Sequence, residues 1–185
     1  VGLGKLYREA GQLDAALGQL QQANDLDPTD VTALHEMAQV FEGRRQFNRA
    51  YEIYQRLMEL EPDNADHFFR AGLALKEMRD YLDALALFQH AVKLDPNHSE
   101  SWAKLGQAYR RTDRHAEALP AYDHALAMNE HYAWAWNGRG LALEALGRRE
   151  EAYASYERAL PEDGTVVWYF TNLVDLLVDL STNLD

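Results

Sequence analysis

With 185 residues, 47% hydrophobic, 26% charged and none of them cysteine, the chain has the composition of a folded protein, and disulfides, thiolate metal sites and a cysteine nucleophile are excluded. The formal charge of −12 sets an acidic surface against phosphate, so nucleic acid is not an expected partner. No uninterrupted apolar run exceeds five residues, far below the roughly 18 that a membrane-spanning helix needs, so no membrane insertion is expected, and the lack of a leader-like N-terminus gives a cytoplasmic expectation.

The chain is periodic. Asp27-Pro28, Glu61-Pro62 and Asp95-Pro96 recur at intervals of 34 residues, as do Ala16, Ala50, Ala84, Ala118 and Ala152. The register divides the sequence into units 1–30, 31–64, 65–98, 99–132 and 133–164, with residues 165–185 left over.

In the first unit Gly4 is the small residue of one helix, Gly11 stands where a helix C-terminus needs a left-handed residue, and Leu20 and Ala23 follow on a second helix. The second opens with Thr29 or Asp30 as N-cap and carries Leu34 and Ala38, then Tyr54, with Leu57 in place of a small residue. Phe68, Gly72, Phe88 and Ala91 fill the same columns in the third. In the fourth, after Ser99 as N-cap, Trp102, Leu105, Gly106 and Tyr109 fall at i, i+3, i+4 and i+7, one stripe of an amphipathic helix. A break at Thr112-Asp113-Arg114 leads to a second stripe, Ala118, Tyr122 and Ala125, with Pro120 expected to kink it mildly. The fifth repeats the columns with Trp136, Gly140, Tyr156 and Ala159, breaks at Gly147, carries Arg139 where an apolar residue is usual, and ends early at Pro161 before Glu162-Asp163-Gly164. Residues 167–180 read as one more first helix, apolar at Val166–Phe170, with Phe170 in the large column.

Small residues where helices cross let backbones approach, and a large side chain from the facing helix fills the remaining space. The ordered set of large, leucine, small and aromatic on the first helix, then alanine, aromatic, alanine and proline on the second, resembles the tetratricopeptide repeat over residues 1–164. The resemblance implies an all-α fold, an α-solenoid of antiparallel helix pairs wound as a right-handed superhelix, and a protein-protein interaction scaffold or adaptor that holds a peptide segment in its concave groove.

By that resemblance the first helices line the groove. Candidate partner-binding residues are Phe69, Arg70, Lys104, Gln107, Arg110, Arg111, Trp134, Asn137 and Leu141. A partner carboxylate is expected near Arg70, Lys104, Arg110 or Arg111, and an apolar side chain near Trp134 and Leu141, since aromatic residues outside the core stripe anchor interfaces. The expected partner is therefore a protein or peptide with acidic and apolar groups. Two alternatives stand beside this: a regulatory or substrate-docking region of a larger enzyme, and self-association as a homo-oligomer through the C-terminal helix.

Catalysis and cofactors are not expected. Gly2-Leu3-Gly4 and Gly138-Arg139-Gly140 lie within helices and follow no strand, so neither is a phosphate loop. The seven histidines include His90 and His124 one period apart and His98 and His131 at turns, and none makes an HExxH-like pair, so no metal site is expected from spacing.

Overall fold

The computed structural model describes residues 1–160, 171, 172 and 174–176. Ten α-helices carry residues 1–160, and no strand occurs among the described residues. They are α1 (Gly2–Glu9), α2 (Leu13–Leu26), α3 (Val31–Gly43), α4 (Phe47–Leu60), α5 (Ala65–Glu77), α6 (Tyr81–Leu94), α7 (Ser99–Arg111), α8 (His115–Met128), α9 (Ala133–Ala145) and α10 (Arg149–Ala159). The chain divides into two compact units, Val1–Asp95 and Pro96–Asp185.

Each odd-numbered helix is joined to the next by three residues, too few for anything but a direct reversal. One device makes all five turns. Gly11, Arg45, Arg79, Asp113 and Gly147 have φ of 73°, 58°, 65°, 59° and 73°, the left-handed conformation that ends a helix. The residue after each donates its N–H back five residues, as from Gln12 to Tyr7 O at 2.8 Å and from Arg148 to Leu143 O at 2.9 Å. Glycine occupies this position only in the first and last turns; the other three hold a side chain in a conformation that costs about 1–2 kcal/mol for most residues.

Caps follow the same economy. Asp30 caps α3 by accepting from Ala33 N, so of the two residues read as caps there it is the aspartate that serves. Ser99, read as a cap, is instead the first residue inside α7, and His98 holds the cap position without a side-chain bond to the backbone. Its Nδ1 meets Ser101 Oγ at 2.5 Å, and that side-chain pairing takes up the groups a cap would use.

In the first unit Leu20, Tyr54 and Phe88 are fully buried, each on the second helix of a pair. A Cβ at Gly72 would stand 2.7 Å from the Phe88 ring, so only glycine admits the two helices at this spacing. In the second unit Tyr122 and Tyr156 are likewise fully buried, and a Cβ at Gly140 would meet Tyr156 at 2.4 Å. Phe68 stacks on His90 at 4.2 Å and Trp102 on His124 at 4.4 Å, which accounts for those two histidines as packing partners of the large column. Leu57 is fully buried where the other pairs have alanine.

Arg139 lies at the edge of the core, where polar side chains meet its charge. It is about one-fifth exposed, and its guanidinium donates to Asp123 Oδ1 at 2.7 Å and Ser155 Oγ at 2.8 Å. Pro120 sits exposed inside α8, which runs on through it. The expectations for Pro161, Glu162-Asp163-Gly164, Val166–Phe170 and a first helix over 167–180 fall outside the described residues, except that Leu176 is buried against the second unit's core.

Candidate functional site

The first unit presents a polar network on α3 and α5. Tyr54, rising from α4 into the core, donates its hydroxyl to Glu42 Oε1 at 3.0 Å. Arg70 lies beside both, 3.8 Å from Glu42 and bonded through Nε to Asp66 Oδ2 at 2.9 Å. Burial pushes the Glu42 carboxyl up, against the pull of the Tyr54 hydrogen bond and of Arg70. Arg70 is thus a cation whose charge is met within its own fold. It borders a cleft of about 230 Å³ with Leu73 and Lys76. Phe69 is 6% exposed and tilts against Phe88 with ring centres 6.1 Å apart, so this candidate groove residue is core packing and offers no surface to a partner.

Nearby, His35, Asp66 and His67 bring a ring nitrogen, a carboxylate oxygen and a second ring nitrogen within 4.8 Å of one another. Sequence spacing did not single this group out, because its members lie on consecutive first helices, 31 and 32 residues apart, and not on one helix face.

The second unit holds seven of the candidates. Lys104 places its ammonium 4.1 Å from the centre of the Trp134 ring and 3.8 Å from Glu100. The half-buried Trp134 meets Tyr122 edge-on at 6.4 Å and tilts against Tyr132 at 6.1 Å. Gln107 and Leu141 are half-buried and Arg111 is exposed. Asn137 is 4% exposed and accepts from Asn172 Nδ2 at 2.7 Å, so it too is structural.

Arg110 differs from its counterparts in the two other tyrosine pairs. In the pairs α3–α4 and α9–α10 a glutamate stands 12 residues before the buried tyrosine and accepts a hydrogen bond from its hydroxyl: Glu42 with Tyr54, and Glu144 with Tyr156 at 2.5 Å. In α7–α8 the residue 12 before Tyr122 is Arg110. There Tyr122 Oη and Arg110 Nε are both buried and neither meets an acceptor. Burial pushes the Tyr122 phenol up to about 12, while the charge of Arg110, its hydrogen bonding to the phenol and the charge of Arg111 draw it down. Gly138 crowds the same hydroxyl, since a Cβ there would stand 2.6 Å from it. Sequence reading placed Tyr122 only in the core; the available signal was a base 12 residues before it, where the two other tyrosine pairs have glutamate.

Comparison with known proteins agrees with this architecture. Tetratricopeptide repeat models match residues 35–97, 69–133 and 105–166, and a second TPR repeat model matches residues 4–43. No curated protein sequence matches the chain. Among solved structures, MamA superposes with a TM-score of 0.81 at 25% identity, over 85% of this chain and 92% of that one. YrrB, titled a TPR protein with an unusual peptide-binding site, gives 0.78 at 22% identity over 86% and 82%. A tetratricopeptide repeat protein from Parabacteroides merdae gives 0.87 at 17% identity over 99% and 73%. An all-α repeat of helix pairs, matched along most of its length by models of a protein-interaction repeat, places the molecule among protein-protein interaction scaffolds. The chain belongs to the tetratricopeptide repeat family.

Proposed function

We propose that the chain holds a peptide segment of a partner protein through its second unit, seating a carboxylate at Arg110 and an apolar side chain against Trp134 and Leu141. The observation that carries this reading is the pair of buried donors without an acceptor, Tyr122 Oη and Arg110 Nε, at the position where two other pairs supply a glutamate. A buried donor left unmade costs about 1–3 kcal/mol, and an acceptor from a partner recovers that cost. A carboxylate is the acceptor that matches a guanidinium in both charge and fork geometry. Lys104 over Trp134 supplies a second positive charge beside an aromatic face, the combination that anchors interface hot spots. YrrB, which shares the fold, carries in its title a peptide-binding site of its own.

A peptide array probed with the whole chain tests the reading. Bound peptides should share an aspartate or glutamate beside a large apolar residue. The variant Arg110→Glu, which installs the acid found in the other two tyrosine pairs, should lose these peptides while keeping its helical circular dichroism. Equal capture by Arg110→Glu contradicts the proposal.

A further inference from the structure

The cluster on α3 and α5 has the makings of a second site. His67 is 3% exposed, and its Nε2 is held by Glu61 Oε2 at 2.7 Å, with Glu61 itself held by Asn64 Nδ2 at 2.9 Å. Its other nitrogen, Nδ1, is buried with no hydrogen-bond partner. A ring that donates through one nitrogen to a carboxylate presents a lone pair at the other, and nothing in the fold uses that lone pair. His35 Nε2 accepts from the Gln39 amide Nε2 at 2.8 Å, so ligation through Nδ1 requires that amide to turn and present its oxygen to an Nε2–H. The bond from Arg70 to Asp66 takes Oδ2.

We propose that His35, Asp66 and His67 bind a divalent transition-metal ion of the zinc class, with water completing the coordination. Two imidazoles and one carboxylate are a donor set that suits zinc, cobalt or nickel, whereas calcium and magnesium call for oxygen throughout. The Glu61–His67 hydrogen bond is the arrangement that fixes the tautomer of a ligating histidine and raises its basicity. Ligand atoms around such an ion stand about 2 Å from it, so a group spread over 4.8 Å must close slightly; the exposed Asp66 and half-buried His35 are the members able to move. His35 comes from α3 while Asp66 and His67 open α5, so the ion ties two neighbouring helices together. Binding to the folded state alone raises the melting temperature by mass action.

Zinc titration of the whole chain, carrying no histidine tag, in a non-chelating buffer tests the site by calorimetry. The expected result is saturable uptake of one equivalent with a rise in melting temperature, and tetrahedral ligand-field bands when cobalt(II) replaces zinc. Because His67 is buried and its loss endangers folding, the decisive variants are His35→Ala and Asp66→Asn, with the fold checked by circular dichroism; both should lose the uptake. Glu61→Gln should weaken it about 10–100-fold, the usual cost of removing a ligand's hydrogen-bonding partner. His90→Ala and His124→Ala, whose rings stack on Phe68 and Trp102, should leave it intact. No saturable uptake, or uptake unchanged in His35→Ala and Asp66→Asn, overturns the proposal.

Discussion

Tyr54, Tyr122 and Tyr156 occupy one column of the 34-residue register and are all fully buried, but their hydroxyls have different fates. Removing a hydroxyl bonded to a carboxylate forfeits a charge-assisted hydrogen bond, so Tyr54→Phe and Tyr156→Phe should each cost about 1–2 kcal/mol in urea unfolding. Tyr122→Phe removes a donor that has no acceptor and should be neutral or stabilising by up to about 1 kcal/mol. A loss at Tyr122 equal to that at Tyr54 would show that its hydroxyl is satisfied after all. Glu42 adds a pH signature. Its folded carboxyl binds a proton more tightly than the ordinary value of 4.5, mainly through burial, so the associated stabilisation is complete below that value and is lost as pH rises through the elevated one. Glu42→Gln keeps an acceptor for Tyr54 without the charge. The wild type should therefore lose stability relative to Glu42→Gln as pH rises from 4.5 towards neutrality, read from urea midpoints across that range.

At the scale of helices, turns and crossings govern stability. Arg79 holds a left-handed φ of 65° that glycine adopts without strain, and Arg79→Gly should stabilise the chain by about 0.5–1 kcal/mol in thermal unfolding, despite adding a glycine to the unfolded ensemble. Destabilisation would show that the Arg79 side chain contributes more than its backbone costs. Gly140 and Gly18 give the opposite contrast within helices. A methyl at Gly140 collides with the Tyr156 ring, so Gly140→Ala should cost about 1–3 kcal/mol. At Gly18 a methyl meets nothing within 4 Å, and Gly18→Ala in α2 should gain about 0.5–1 kcal/mol. Equal effects at the two positions would remove the crossing argument.

For the whole chain, the helices and their breaks were legible because the same small and large columns recur, and recurrence turns weak local signals into a strong one. The turns at Arg45, Arg79 and Asp113 were less so, since only Gly11 and Gly147 advertise a positive φ. The site was legible in part. Lys104 meets Trp134, while Phe69 and Asn137 turn inward, because a position flanking the exposed face is buried when the next helix lies over it. The His35–Asp66–His67 group depends on a contact between neighbouring pairs, and residue spacing along one helix does not report it.

The second unit carries an acceptor position that no described residue fills, and the Arg110 Nε–H resonance reports on that position directly. Titration with an acetylated, amidated peptide containing leucine and glutamate should shift this signal saturably, and the same peptide with glutamine in place of glutamate should leave it unmoved. An Arg110 signal indifferent to the acidic peptide, or shifted equally by both, would contradict the account.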